Sequence, residues 1–148
     1  DDVPERLEGV KQFHPDRIID YGAENTVEVV KSMAPFGVDV VFTCAPSRTA
    51  QEEALMLVAP RGRVNLFGGL AKDNSQITID ANKVHYDEIF ISGTSSSLPE
   101  TNREALKLLA EQKIVADDFI SHVIPLDELE KGFSLIEQKR GLKVIITP

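Results

Sequence analysis

Apolar residues along this chain recur by turns at strand spacing and at helical spacing. Val38–Thr43 is a run of β-branched and aromatic residues, typical of a strand buried on both faces. Residues 63–67 and 88–93 predict two further strands. Residues 25–33 and the segment after Pro99 carry apolar side chains at the 3.6-residue spacing of amphipathic helices. This alternation predicts an α/β fold with a mostly parallel sheet and flanking helices.

Shorter patterns predict further elements and one boundary. Residues 17–20 resemble a short strand, and Ile77 and Ile79 alternate as in an edge strand. Near Ile120 the order changes to strand, helix, strand, which has no place in a simple doubly wound sheet. We therefore expect the chain to divide into residues 1–119 and residues 120–148.

Composition excludes several classes of protein. The chain has 148 residues, one domain's worth, and its 24 acidic residues outnumber 16 Lys and Arg, for a net charge of −8. That balance disfavours a nucleic-acid partner. No apolar run is long enough to span a bilayer and no signal peptide is visible, so we expect no membrane association. The lone Cys44 cannot form an internal disulfide, which favours a reducing, cytoplasmic compartment.

Candidate binding residues follow three of the predicted strands. In an open parallel sheet, ligands bind at the carboxyl ends of the strands. Glycines there let the backbone approach a ligand, and hydroxyl groups can donate hydrogen bonds to it. Each feature alone is also common in an ordinary turn, but together they end adjacent strands of one sheet. The residues at these ends are Cys44, Phe67, Gly68, Gly69, Thr94, Ser95 and Ser96.

No catalytic constellation is visible. The three histidines are far apart, and Cys44 has no second cysteine at metal-ligand spacing. The nucleophile elbow, the P-loop and the Gly-x-Gly-x-x-Gly fingerprint are all missing. We predict no catalytic residue and no metal ligand here, so either the chain is not an enzyme by itself or its catalytic groups lie elsewhere. Asp1 fits the acid that ends the second strand of a dinucleotide fold, which places the start of the chain just after that strand.

Five segments resemble the carboxyl-terminal half of the medium-chain alcohol dehydrogenase superfamily, most closely its zinc-dependent polyol branch of sorbitol and threonine dehydrogenases. They occur in the family's order and spacing and cover nearly the whole chain. The segments are residues 1–7 (DDVPERL), 37–44 (GVDVVFTC), 54–69 (ALMLVAPRGRVNLFGG), 121–126 (SHVIPL) and 141–146 (GLKVII). The resemblance implies an incomplete Rossmann-like fold that lacks the first strand and the glycine-rich loop.

The resemblance also implies roles for the candidate residues. Asp1 falls on the acid that binds the adenosine ribose, and Arg6 flanks the adenine. Phe67, Gly68 and Gly69 fall on the backbone lining the nicotinamide ribose, while Thr94, Ser95 and Ser96 fall on the loop that meets the nicotinamide carboxamide. An acid at Asp1 favours NAD, since it would repel the 2′-phosphate of NADP, although Arg6 could still pair with that phosphate. Pro46 and Arg61 stand where the family usually has glycine, which could shift the pocket edge.

For the whole protein, the resemblance implies hydride transfer from a small alcohol to NAD, with NADP possible. Zinc is expected only in the catalytic domain, which has no counterpart here, so the isolated chain is expected to be inactive. Residues 1–119 would be a partial NAD(P)-binding domain, and residues 120–148 would return to the catalytic domain. A homo-oligomer is expected.

Two alternatives stay open. The first is a fragment of a zinc-free quinone or enoyl reductase of the same superfamily, which Asp1 and the polyol-like ending disfavour. The second is a non-catalytic α/β module that binds a nucleotide or a protein partner, with an exposed strand edge available for dimer formation.

Overall fold

The computed structural model describes all 148 residues and divides into two compact units. The sheet unit is Ala23–Ser96, and the terminal unit is Asp1–Gly22 together with Ser97–Pro148. The predicted boundary near Ile120 therefore falls inside the terminal unit. The functional division into residues 1–119 and 120–148 stays a prediction.

Six helices and five strands make up the two units. The helices are α1 (Pro4–Gly9), α2 (Thr26–Met33), α3 (Arg48–Leu57), α4 (Ala81–Tyr86), α5 (Pro99–Ala110) and α6 (Leu129–Glu137). The strands are β1 (Val38–Thr43), β2 (Val58–Leu66), β3 (Phe90–Gly93), β4 (His122–Pro125) and β5 (Val144–Thr147). Short 3₁₀ turns lie at Val10–Phe13, Lys72–Asn74, Ala116–Asp118 and Leu126–Glu128. None of the six helices combines the length and the apolar composition that a membrane-spanning helix needs.

The sheet unit is built on β1, β2 and β3, which pair in that order and all in parallel. The α/β prediction with a parallel sheet is confirmed. Ala54 and Leu55 of α3 pack against Val58, Val64 and Ile89 to form the core. Burying such aliphatic side chains contributes roughly 1.5–3 kcal/mol each, which holds the helix on this face of the sheet.

The opposite face of this sheet is exposed, which corrects the expectation that β1 is buried on both sides. Val40 and Phe42 of β1 are 47% and 66% exposed. The register places Phe42 beside Asn65 of β2, and Asn65 beside Ser92 of β3. Residues paired in register present their side chains to the same face, so one row of aromatic and polar groups crosses the exposed face.

Side-chain caps fix where the helices of the sheet unit begin. Asn25 accepts from the Glu28 N–H at 3.1 Å and starts α2. Ser47 accepts from the Ala50 N–H at 3.3 Å and starts α3. Each cap satisfies a backbone donor that the first helical turn leaves without a partner.

The expected edge strand around Ile77 and Ile79 does not form. The Thr78 N–H donates to Oε1 of Glu52 at 2.8 Å instead of to a neighbouring strand. A strand is stable only where a partner takes its backbone groups. A carboxylate on α3 has taken that place here, so the segment is held without being part of the sheet.

The terminal unit holds a second, two-stranded parallel sheet in which β4 pairs with β5. Gly132 of α6 lies against it, since a Cβ there would meet Cδ1 of Ile124 at 3.0 Å. The predicted strand at residues 17–20 is not formed. The Asp1 amino group donates to the Ile19 carbonyl at 3.3 Å, and the Tyr21 N–H donates to the Asp1 carbonyl at 3.1 Å.

Candidate functional site

The turn after β2 is fixed by contacts of Gly68. Its N–H donates to the Thr43 carbonyl at 2.7 Å, and its carbonyl accepts from Nε2 of Gln51 at 2.8 Å. A Cβ on Gly68 would lie 2.5 Å from the Ala45 carbonyl oxygen, closer than real Cβ contacts allow. Glycine is therefore required here by the neighbouring backbone, which sets the shape of the turn.

Phe67 and Gly69 flank this turn and face open space. Phe67 is 56% exposed, and nothing lies within 4 Å of a Cβ built on Gly69. An aromatic ring offers a flat apolar surface, and a glycine without close neighbours lets another molecule approach the backbone. This part of the turn therefore has room for a flat ligand group, which a larger side chain at Gly69 would fill.

Cys44 ends β1 at the same edge of the sheet. Its side chain is exposed. Its carbonyl carbon lies 3.0 Å from the position of a Cβ on Gly68. The ends of β1 and β2 thus approach each other through their backbones, and the thiol is left at the surface.

The exit from β3 is tied to β2 by an amide side chain. Nδ2 of Asn65 donates to Oγ of Ser92 at 3.1 Å and to Oγ1 of Thr94 at 2.7 Å. The Thr94 N–H continues the strand pairing by donating to the Leu66 carbonyl at 3.3 Å. The chain then turns sharply at Ser96, whose φ of +59° lies in the left-handed region.

The seven candidate residues of the sheet unit therefore meet at its carboxyl edge, as the sequence predicts for adjacent strand ends. Their meeting does not itself establish a ligand. The other two candidates, Asp1 and Arg6, belong to the terminal unit. They form a second group, which is described by itself.

Asp1 and Arg6 form an ion pair, with Oδ2 of Asp1 3.8 Å from Nη1 of Arg6. Oδ1 of Asp1 accepts from the N–H groups of Asp2 and Val3 at 2.8 and 3.1 Å. The carboxylate is thereby held at the start of α1. Nη2 of Arg6 donates to the Gly141 carbonyl at 3.2 Å, while its Nε is buried without a hydrogen-bond partner.

A second ion pair, like the hydrogen bond from Arg6 to Gly141, joins the amino-terminal and carboxyl-terminal segments of the terminal unit. Nζ of Lys139 lies 3.1 Å from Oδ2 and 3.2 Å from Oδ1 of Asp2. This hydrogen bonding lowers the pKa of Asp2, because it favours the ionised carboxylate. Both side chains are substantially exposed, so solvent screens the pair.

A cleft of about 860 Å³ opens beside Asp1 and Arg6 within the terminal unit. Phe13 and Phe119 form part of its wall, with their rings stacked 5.1 Å apart between centroids. This volume is in the range of small-molecule sites, which combine apolar walls with a few polar groups. The cleft can therefore take a flat ring together with a hydroxyl-bearing group.

No group of three or more His, Cys, Asp or Glu side chains is placed to hold a metal ion. The zinc that the family resemblance implies has no ligand set among these residues.

Residues 1–111 match the family of zinc-binding dehydrogenases. The chain belongs to that family. The match begins with the Asp1 segment and runs through the sheet unit to the end of α5. It therefore includes both groups of candidate residues in this family member.

Curated relatives include dehydrogenases of polyols and amino acids. A sorbitol dehydrogenase from Halalkalibacterium halodurans is 28% identical over 144 residues, which covers 97% of this chain and 41% of the relative. An L-threonine 3-dehydrogenase from Bacillus subtilis is 29% identical over 146 residues, with coverages of 97% and 41%. The chain thus spans about 41% of the length of these relatives, and it matches their carboxyl-terminal, cofactor-binding portion.

Solved structures share the fold over the whole chain. A benzyl alcohol dehydrogenase from Acinetobacter calcoaceticus superposes with a TM-score of 0.89 at 21% identity, covering 99% of this chain and 41% of its own. An alcohol dehydrogenase from Thermus sp. gives 0.86 at 25% identity, with coverages of 100% and 43%. A protein from Sinorhizobium meliloti described as a zinc-binding dehydrogenase bound to NADP gives 0.84 at 24% identity, with coverages of 100% and 44%. The expected Rossmann-like architecture is confirmed.

Two polar residues that shape the site, Gln51 and Asn65, are not among the candidates predicted from the sequence. Gln51 is only 4% exposed, and it lies one turn before Ala54 and Leu55 on the buried face of α3, so its helical spacing is the signal that could have found it. Asn65 interrupts the apolar run of β2, and that interruption is the signal that could have found it. Both side chains hold the backbone of the candidate site in place, so they matter to its shape.

The two departures from the family's glycines have different positions. Arg61 lies at the amino end of the sheet, where its N–H donates to the Asp87 carbonyl, so it does not shift the edge that carries Phe67. Its φ is +62°, which is strained for a residue with a side chain. Pro46 lies beside Ser47 at the start of α3, on the candidate edge.

Proposed function

We propose that this chain is the cofactor-binding part of an NAD-dependent alcohol or polyol dehydrogenase, which transfers a hydride from an alcohol to nicotinamide. The observation that carries the proposal is the carboxyl edge of the sheet. There the exposed Phe67, the unobstructed Gly69 and the Thr94 hydroxyl stand together in a member of the zinc-binding dehydrogenase family.

The nicotinamide end of the cofactor fits this edge by its chemistry. A nicotinamide ring is flat, and its carboxamide both donates and accepts hydrogen bonds. Phe67 and the space at Gly69 provide an apolar surface and access to the backbone. Thr94 and the exposed Ser95 and Ser96 provide hydroxyls. These residues would bind and orient the ring, and we assign them no proton transfer.

The adenosine end fits the terminal unit, and its chemistry favours NAD over NADP. Asp1 presents a carboxylate, which can accept hydrogen bonds from the two ribose hydroxyls but repels a 2′-phosphate. Arg6 is held by Asp1 and by the Gly141 carbonyl, so it is already engaged by other groups. NAD is therefore the cofactor that this pair supports.

The remaining chemistry would come from groups outside this chain. Bound nicotinamide supplies the hydride acceptor, and a zinc held by residues elsewhere would supply a Lewis acid for the alcohol oxygen. The chain offers the positions that orient the ring and hold the ribose. We accordingly propose that the 148 residues alone are inactive.

The setting of the protein is also proposed. The net charge of −8 supports small-molecule partners over nucleic acid, and the single cysteine supports a reducing, cytoplasmic compartment. Val123 and Phe133 in the terminal unit stay about three-fifths exposed. Such apolar exposure supports a homo-oligomer.

The test is oxidation of sorbitol, threonine and simple secondary alcohols by the protein that joins this chain to the amino-terminal segment its relatives have. We expect NAD-dependent turnover that a zinc chelator abolishes. Reduction of a quinone by NADPH, unaffected by the chelator, would favour the zinc-free reductase instead. If the protein bound neither NAD nor NADP, the remaining alternative would be a non-catalytic α/β module.

A further inference from the structure

The Asn65 side chain joins the two strand ends that form the proposed nicotinamide edge. It lies on the middle strand, between Phe42 of β1 and Ser92 of β3 in register. Its Nδ2 has two hydrogens, and the two acceptors within reach are Oγ of Ser92 at 3.1 Å and Oγ1 of Thr94 at 2.7 Å. Both donors of the amide are therefore satisfied by the neighbouring strand and the loop that follows it.

The directions of these hydrogen bonds make the hydrogen of the Thr94 hydroxyl the one that a ligand can accept. Oγ of Ser92 can donate its own hydrogen to the Val64 carbonyl at 3.4 Å, so the hydrogen bonds of Ser92 stay within the sheet. The Thr94 hydroxyl accepts the short bond from Nδ2, and its own hydrogen has Oδ1 of Asn65 as an alternative acceptor at 3.1 Å. A ligand acceptor placed above the strand ends can compete for that hydrogen. Thr94 is then a donor whose oxygen is already fixed in place.

We propose that Asn65 is a positioning residue that fixes the Thr94 hydroxyl, and the loop after it, toward the carboxamide end of the nicotinamide cofactor. The inference deepens the proposed function and rests on it. Asn65 itself is assigned no contact with the cofactor. Its effect acts through Thr94, because a donor held in place before binding loses less freedom when the ligand arrives.

The experiment uses the protein that joins this chain to the amino-terminal segment of its relatives, called the full-length protein below. It compares the wild type with the variants Asn65→Val and Asn65→Asp. Valine removes all three hydrogen bonds of the Asn65 side chain but suits a strand. Aspartate keeps the shape but has no N–H donor and carries a negative charge, so it accepts the Thr94 hydrogen more strongly than the Asn65 amide oxygen does and turns the hydroxyl inward. We expect both variants to weaken NAD binding about fivefold to tenfold, the effect of losing about one well-placed hydrogen bond. If Asn65 only supported the fold, Asn65→Asp would keep the NAD affinity of the wild type, because aspartate has the same shape.

Two probes separate this role from damage to the fold. ADP-ribose lacks the nicotinamide, so its dissociation constant should be unchanged in both variants. The 3-acetylpyridine analogue of NAD lacks the carboxamide nitrogen but keeps its oxygen, so it should lose affinity as NAD does when Thr94 donates to that oxygen. Ser92→Ala is the matched control, since it removes the branch that leads away from Thr94, and it should leave NAD binding within about twofold.

The outcomes distinguish this inference from the proposed function. If wild-type protein binds NAD and ADP-ribose while Asn65→Val binds both as well as wild type, the positioning role is overturned and the proposed function stands. If Asn65→Val loses ADP-ribose and NAD equally, the residue is structural and the inference is also overturned. If the wild-type protein binds neither compound, the proposed function itself fails.

Discussion

Gln51 donates from Nε2 to the carbonyl of Gly68 at 2.8 Å, so a nearly buried amide on α3 fixes the turn that ends β2. Most polar side chains of this protein are at the surface, and burial of one without a partner costs about 1–3 kcal/mol. This pair therefore couples the packing of the helix to the shape of the candidate site. The position of Gly68 is decided by residues that need not touch a ligand.

Replacing Gln51 by Leu should destabilise the chain by about 1–3 kcal/mol, because the Gly68 carbonyl then loses its donor. Urea unfolding followed by circular dichroism measures this. Thr49→Ala, at an exposed position of the same helix, is the control and should change stability by less than about 0.5 kcal/mol. Equal stability of Gln51→Leu and wild type would mean that the carbonyl does not depend on Gln51.

Gly68 and Gly69 should differ in how much the same substitution changes stability. Gly68→Ala forces a Cβ to within 2.5 Å of the Ala45 carbonyl oxygen, so we expect a loss of at least about 1–3 kcal/mol. Gly69→Ala meets no atom within 4 Å and should leave the free energy of unfolding nearly unchanged. In the full-length protein, however, Gly69→Ala should raise the KM for NAD. An unchanged KM would place the cofactor away from Gly69.

Arg61→Gly should stabilise the chain. A left-handed φ costs a residue with a side chain about 1–2 kcal/mol, and glycine adopts it without that penalty. Glycine adds backbone freedom to the unfolded chain, about 0.5–1 kcal/mol, so a net gain of about 0.5–1 kcal/mol is expected. The ion pair with Glu88 that is lost is exposed and contributes little. Arg63→Gly, within β2, should instead destabilise, and a rise in the thermal midpoint for Arg61→Gly alone is the supporting result.

Hydrogen exchange at Thr78 should depend on pH through Glu52. The Thr78 N–H, and next Arg48, lower the pKa of Glu52 below its ordinary value of 4.5. A carboxyl with a lowered folded pKa contributes stability that is complete above the unfolded pKa and is lost as the pH falls through the folded value. The protection factor of Thr78 should therefore fall in that acidic window. Glu52→Gln should make it lower and insensitive to pH there, whereas Glu53→Gln should behave as wild type.

How much the sequence predicts depends on whether neighbours in the chain or distant contacts decide the outcome. Strands β1 to β3 depend on local residue types, and their prediction is confirmed. The segment at residues 17–20 has strand-like residues but pairs with no strand. In the segment around Ile77 and Ile79, the Thr78 N–H donates to the Glu52 carboxylate and not to a strand. The hydrogen-bond partners of Gln51 and Asn65 lie 17 and 29 positions away along the chain, so the local pattern can mark these two residues but cannot identify their partners. That Asp1 and Arg6 bind adenosine stays a prediction.

The choice between NAD and NADP should rest on Asp1. Its Oδ1 accepts from the N–H groups of Asp2 and Val3, so the carboxylate keeps its position near the ribose site we propose. Asp1→Ser in the full-length protein removes the charge that would repel a 2′-phosphate and keeps a side-chain acceptor for the same N–H groups. It also releases the Arg6 guanidinium, 3.8 Å away, to pair with that phosphate.

We expect Asp1→Ser to raise the ratio of kcat/KM for NADP over NAD by at least about tenfold, which corresponds to about 1.4 kcal/mol. Arg6→Ala in the Asp1→Ser background is the discriminating control. It should cancel most of the gain with NADP and leave NAD kinetics nearly as in the single variant. A ratio that stays constant in Asp1→Ser would mean that this carboxylate does not face the ribose, and the adenosine site would then have to lie elsewhere.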